Sequence, residues 1–338
     1  AVIGVKNLKI ITFGPRPQDF FACNAPIKGL YELGVEVEEN SELDLLVAYK
    51  EHADDPRIPE VCADMAAEMG EGKYYPDLLA RMAQFELTLL DWAEAHKGSK
   101  KYVAFADKCW PAFPSQFGFE PCYVNSRLAS RGIPVACEVD IYGALSEYIG
   151  MCASGDTVTL LDINNSVPKY IYDEDITGKF NYKLTDTFMG FHCGNTPSCK
   201  MCSDRAVKYQ LIQHRLLEPA GSDPDFTRGT LEGDIAPSDI TFYRLQCDSE
   251  GQLRAYIAQG EILPVATRSF GGIAIFAIPE MGRFYRHVLI QKRYPHHGAV
   301  AFGHYGKTLF EVFKFLGIAD IAYNQPKSLP YPTENPFA

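Results

Sequence analysis

The rhythm of hydrophobic and polar positions changes once along this chain. Over roughly the first 165 residues, apolar runs of strand length alternate with stretches of helical spacing. Residues 8–13 read as a strand, stopped by Gly14-Pro15-Arg16-Pro17, and 34–37 as a shorter one. From 76 to 96, Leu79, Met82, Phe85, Leu89 and Trp92 recur at helical spacing, and Gly98 ends the pattern. The spacing then predicts a strand at 101–106 and a helix at 115–131 that Pro121 caps or kinks. A strand at 133–137, a helix at 139–152 and a strand at 157–161 follow. This alternation predicts a largely parallel sheet with helices on both faces.

Beyond about residue 165, short apolar runs at 180–184, 240–245, 253–257 and 273–278 are separated by turn signals, with 248–251 as a hairpin loop. A helix at 203–217 interrupts them, and a strand at 299–302 and a helix at 309–316 come last. The stretch 324–338 holds Pro326, Pro330, Pro332 and Pro336 and reads as an extended tail. The expected fold class is α/β: a parallel-sheet α/β domain at 1–153, then a β-rich domain with a Pro-rich tail at 154–338.

Composition narrows the partners. The 338 residues are enough for two substantial cores. The net charge of -11 argues against nucleic acid, which needs a basic footprint. No apolar run approaches the ~20 residues of a membrane span, so no membrane partner is expected. The ten cysteines, several in apolar runs such as 135–137, read as reduced thiols in the cytoplasm rather than a disulfide framework. The chain starts at Ala1 without Met and enters a strand almost at once. That start is expected equally of residues removed upstream and of a trimmed or recombinant terminus.

Candidate chemistry gathers at strand ends. Glu138 follows the strand at 133–137 and Asp162 the strand at 157–161, where open α/β sheets bind their ligands. If those strands are neighbours, the two carboxylates approach each other, and a divalent cation is the simplest way to keep both ionised. The plainer alternative is a helix-starting Glu and an Asp before a turn. Tyr294-Pro295-His296-His297-Gly298 is a short loop able to supply an imidazole ligand, or an ordinary surface loop. One imidazole and two carboxylates suit octahedral Mn²⁺ or Mg²⁺ better than tetrahedral Zn²⁺. Lys108 and Trp110 follow the strand at 101–106, Lys108 as a candidate to steady an anionic or polyhydroxyl substrate and Trp110 to stack on a sugar face, or else as an ordinary strand-to-helix turn with a packed Trp; Arg16 is a weaker candidate. His192 lies in a segment with Cys193, Cys199 and Cys202. One reading gives a zinc site; the preferred one has His192 facing the substrate pocket.

In order and spacing, Ala136-Cys137-Glu138-Val139-Asp140, the helix with Gly150, and Asp162 resemble the L-fucose isomerase family. So do His297-Gly298, the strand at 299–302, Gly303-His304, Gly306 and Leu316-Gly317-Ile318. Asp234 to Pro237, Thr241 and Gly260-Glu261 are similar to β-barrel strands shared by fucose and arabinose isomerases. The resemblance covers the second and C-terminal domains only. It implies a barrel-like C-terminal domain and Mn²⁺ held by Glu138, Asp162 and His297. Glu138 and Asp162 double as the proton-transferring pair of an aldose–ketose isomerase acting on a free sugar. It also implies a homo-oligomer, trimer or hexamer. His296 stands where the L-fucose enzyme has a substrate-contacting Asn, so the sugar is left open, and His304 matches a position that is not a ligand. Two other functions stay in view: a non-catalytic sugar-binding relative, and a glycoside hydrolase using Glu138 and Asp162.

Overall fold

The computed structural model describes residues 1–164, 166–335 and 337. The N-terminal half is built on a four-stranded parallel sheet: β1 (Leu8–Phe13), β2 (Glu36–Asn40), β3 (Tyr102–Ala106) and β4 (Val135–Ala136), in the order β2-β1-β3-β4. Every residue of β1 is buried, as a central strand covered on both faces requires. The helix Leu79–His96 turns Leu79, Met82, Phe85 and Leu89 into one core with Phe105, Phe113 and Phe119. Pro121 splits the expected helix at 115–131 into Phe113–Phe117 and Cys122–Ser130, because its ring and missing N–H cannot continue a helix.

The second half holds a nine-stranded sheet of β5 (Val158–Asn164), β6 (Thr187–His192), β7 (Ala206–Tyr209), β8 (Arg228–Asp234), β9 (Ser238–Cys247), β10 (Leu253–Ile262), β11 (Gly272–Ala277), β12 (His297–Phe302) and β13 (Asp320–Tyr323). Six of them, β10-β9-β12-β5-β6-β11, run antiparallel in that order. Pairing of Glu261 with Ala277 and Ile262 with Phe276 returns β11 to β10 and closes a barrel. Leu161, Phe188, Phe242, Tyr256, Phe276 and Val300 form one buried cluster there. The loop 248–251 joins β9 to β10 as a hairpin, as its turn residues predict.

The helix Ile141–Ser154 joins the two halves and is buried for most of its length. Ala144, Leu145 and Tyr148 share a core with Ile10, Ala104 and Ala136 of the parallel sheet and with Leu160, Tyr243, Leu245 and Ala299 of the barrel. Gly143 and Gly150 make this approach possible. A Cβ at Gly150 would stand 1.6 Å from the Tyr243 hydroxyl, and one at Gly143 would stand 2.7 Å from the Leu160 side chain.

Several expectations need correction. The strand at 157–161 does not extend the parallel sheet; it is β5 of the barrel, antiparallel to its neighbours, because the preceding helix crosses from one sheet to the other. The segment 180–184 is not a strand, and pairing starts only at Thr187. Residues 203–217 divide into β7 and a short helix, Leu211–Leu217. The tail, expected to be extended, carries no helix or strand among its described residues and is tied down: Tyr331 is buried, and Glu334 pairs with Arg283 at 2.6 Å. Pro336 and Ala338 lie outside the described residues.

Candidate active site

Three adjacent barrel strands and one strand of the parallel sheet aim polar side chains at a single point. His297 opens β12 directly across from Asp162 of β5, so their side chains share a face. His192 ends β6, the next strand. Glu138 arrives from the other side, in a single turn after β4 whose backbone is unusual. Glu138 has φ 61° and Val139 φ 55°, a left-handed conformation that costs about 1–3 kcal/mol per residue outside glycine. The turn is held because the Val139 N–H donates to the Asp107 carbonyl (2.8 Å) and the Asp140 carboxylate caps the Gly143 N–H (2.8 Å).

His297 Nε2 lies 3.1 Å from Glu138 Oε2 and 3.1 Å from Asp162 Oδ1. His296 Nε2 stands 3.4 Å from Asp162 Oδ1 and 3.7 Å from Glu138 Oε2, and its ring remains partly exposed. Glu138 Oε2, Asp162 Oδ1, His297 Nε2 and His192 Nε2 are all buried without a hydrogen-bond partner. Such orphans are expensive unless something binds them. The donor set fits a hard divalent cation. Ligands at about 2.1 Å in an octahedron sit about 3.0 Å apart along each edge, close to the two 3.1 Å separations.

The charges agree with that fit. Burial disfavours ionised Glu138, but the imidazoles of His296 and His297 outweigh it and hold the carboxyl at about 2. Burial likewise disfavours charge on the His297 ring, yet Asp140, Asp162, Cys23 and Glu138 together draw a proton strongly onto it. A cation at Nε2 answers the same anions. His192 differs. Its Nδ1 accepts from the Cys193 N–H (2.9 Å), and burial keeps the ring neutral, so Nε2 carries the hydrogen. It therefore offers a donor to a substrate oxygen rather than a lone pair to a metal.

Behind His297 lies a layer that the sequence reading did not assign. His297 Nδ1 donates to Asp140 Oδ2 (2.8 Å), which orients Nε2 toward Glu138 and Asp162. Asp140 in turn accepts two bonds from Arg244, at 2.8 and 2.7 Å, and Arg244 is fully buried. Cys23 Sγ stands 3.9 Å from His297 Nδ1. Two signals were available: an acid two residues after Glu138, and an Arg inside the otherwise apolar run of β9.

The remaining candidates fall in two groups. Trp110 and His296 both border Phe20, with ring centres at 6.4 and 5.8 Å, and form an aromatic rim beside the carboxylates. Lys108 and Arg16 have partners elsewhere. The Lys108 ammonium donates to the Pro15 carbonyl (2.8 Å) and pairs with Glu42 (3.2 Å). Arg16 donates to Asn24 (2.7 Å) and to the Pro17 and Gln18 carbonyls, bracing the loop that carries Phe20 and Cys23. Cys193, Cys199 and Cys202 do not come together with His192 in a metal-binding group among the described residues. Cys193 accepts from Gln210 and Cys199 faces Thr157 instead.

Residues 190–323 match the family model for the L-fucose isomerase C-terminal domain. The chain is 22% identical over 322 residues to a sulfoquinovose isomerase of Alkalicoccus urumqiensis, covering 93% of this chain and 64% of that protein. It is 24% identical over 325 residues to a sulfoquinovose isomerase of Priestia aryabhattai, covering 94% and 65%. A sulfoquinovose isomerase of a Clostridium species is 26% identical over 298 residues, covering 81% and 55%. The chain thus spans less than two thirds of the length of these relatives. The matches bear out the resemblance to the L-fucose isomerase family.

Proposed function

We propose that this L-fucose isomerase-like chain is the cation-binding, catalytic part of an aldose–ketose isomerase acting on an open-chain sugar. The observation that carries the reading is the convergence of unpartnered Glu138, Asp162 and His297 atoms at 3.1 Å spacing, in a chain whose relatives are named sulfoquinovose isomerases. Glu138, Asp162 and His297 would hold Mn²⁺ or a similar divalent cation. Bound there, it supplies Lewis-acid polarisation of the substrate oxygens.

The side chains perform the rest. Isomerisation removes the C2 proton of the aldose; its electron pair forms the C1–C2 double bond, and O1 takes a proton. Loss of the O2 proton and protonation at C1 then give the ketose. Glu138, held ionised, is the base for one carbon, and Asp162 serves the other. The His192 Nε2–H is poised to hold a sugar oxygen, which fixes the carbons relative to the two acids. Trp110 and Phe20 offer apolar faces to the sugar ring or chain and limit water. His296 donates at the open side, where the identity of the sugar is read.

A glycosidase needs two carboxylates but gives His297 and its Arg244–Asp140 support nothing to do. A non-catalytic sugar binder would not need the strained turn that presents Glu138. The testing experiment is aldose–ketose conversion over a panel headed by sulfoquinovose, with the chain stripped by chelator and reloaded with Mn²⁺. Conversion that returns with Mn²⁺ and is absent in Glu138→Gln supports the reading. Full activity in Glu138→Gln, or conversion unaffected by chelation, would sink it.

A further inference from the structure

A second group of metal-ligating side chains lies outside the site just described. Cys109 follows β3 in the loop that carries Lys108 and Trp110. Glu120 and Cys122 flank Pro121 at the start of the helix Cys122–Ser130. Their two sulfurs and a carboxylate oxygen all lie within 4.8 Å of one another, and all three residues are buried. Cys137, which follows β4 next to Glu138, lies beside the Cys109 thiol.

Ordinary core packing accounts for buried thiols but not for Glu120. Its side chain is fully buried, and although Cys109 lies against the carboxyl group, neither oxygen has a hydrogen bond of normal geometry. No cationic side chain pairs with it among the described residues. A buried carboxyl group without donors costs several kcal/mol, unless it meets a proton or a metal. The site is also anchored. Gln213 Nε2 donates to Cys109 Sγ (3.4 Å), and the Glu120 N–H donates to the Arg228 carbonyl (2.7 Å).

We propose that Cys109, Glu120 and Cys122 form a second, buried site for a thiophilic divalent cation of the zinc class. Thiolates at about 2.3 Å from such an ion stand about 3.8 Å apart in a tetrahedron, within the span these groups already occupy. Soft sulfur donors separate this site from the carboxylate–imidazole site, which favours harder ions. Binding expels the thiol protons to solvent and ties two chain segments together: the loop bearing Trp110 and the start of Cys122–Ser130. The site is therefore a brace for the loop bearing Trp110 and takes no part in proton transfer.

Cobalt titration of the full chain, reduced and stripped of metal, provides the test. The expected result is a near-ultraviolet thiolate-to-cobalt band that saturates at one equivalent and is bleached by Zn²⁺. The band appears equally in wild type and Glu138→Gln, and it is lost in Cys109→Ser and Cys122→Ser. Should a serine variant fail to fold by circular dichroism, Glu120→Gln carries the test, with half-saturation moved to about tenfold higher Co²⁺ or beyond. A folded wild type with free thiols and no such band overturns the proposal. So does a band that survives undiminished in both serine variants, or an unchanged half-saturation in Glu120→Gln.

Discussion

Replacing Asp140 by Asn separates support of the site from support of the fold. Asp140 Oδ1 accepts from Gly143 N–H and Arg244 Nη2; Oδ2 accepts from Arg244 Nη1 and His297 Nδ1. An amide keeps one acceptor and turns the other into a donor facing two donors, whichever way it is flipped. Two bonds are therefore lost, one of them always to charged Arg244, at about 1.5–3 kcal/mol for a bond to a charged group and about 0.5–1.5 kcal/mol for a neutral one. The fully buried Arg244 is also left without its anion, a defect that costs about 3–5 kcal/mol. The two routes agree, and we expect Asp140→Asn to unfold with about 3–5 kcal/mol less free energy in urea. Its Mn²⁺ affinity, followed by calorimetric titration, should fall about 10–100-fold because the His297 ring is no longer oriented. Arg244→Met in the same background should cost less than the sum of the single changes, by about 1–3 kcal/mol, while leaving Mn²⁺ affinity as low as in Asp140→Asn. A single variant within about 0.5 kcal/mol of wild type, with unchanged Mn²⁺ affinity, would refute the reasoning.

Three further changes probe other parts of the account. Glu138→Gln should keep its circular dichroism spectrum and lose about 10²–10⁴-fold in turnover, measured as ketose formed per unit time. Gly298→Ala places a Cβ 2.0 Å from the Phe242 ring, so thermal denaturation should show a loss of about 1–3 kcal/mol, together with weaker Mn²⁺ binding through the displaced His297. Asp107 is pushed up to about 7 by burial, against its hydrogen bonds from Asn125. The folded protein then holds that proton after an unfolded carboxyl, near 3.9, has lost it, so stability from this group falls as pH rises between those values. Asp107→Asn escapes the loss and can donate to the unpartnered Asn125 Oδ1. Its unfolding free energy in urea should match wild type near pH 4 and exceed it above pH 7, by up to about 4 kcal/mol.

Much of the fold was legible because its patterns are local. The strand Leu8–Phe13 and the helix Leu79–His96 follow directly from apolar runs and 3.6-residue spacing. The hairpin at 248–251 and the segmentation of the barrel follow from turn residues. What spacing does not encode is which sheet a strand joins. Residues 157–161 sit one helix after β4, the usual setting of a parallel neighbour, yet the doubly buried helix Ile141–Ser154 delivers them to the barrel. Glu138 and Asp162 still meet, but across two sheets rather than along one, so the expectation of proximity rested on the wrong strand pairing. Asp140 and Arg244 are 104 residues apart in sequence. Their pairing depends on the packing of a helix start against a barrel strand, and only the odd charge within β9 hinted at it. The cysteines repeat the lesson. Neighbours in sequence, Cys199 and Cys202, do not gather in such a group among the described residues, while Cys109 and Cys122 converge with Glu120 from two segments.

The central claim is proton transfer between C1 and C2 by Glu138 and Asp162 at a cation-loaded site. It is tested most directly by running the conversion in D₂O with the Mn²⁺-reloaded chain, sulfoquinovose as the first sugar, and reading deuterium by NMR. The account predicts deuterium at C1 of the ketose and C2 of the recovered aldose, both appearing only with Mn²⁺ and neither in Glu138→Gln. Conversion without any deuterium at these carbons would mean that hydrogen moves directly between them, and would contradict it.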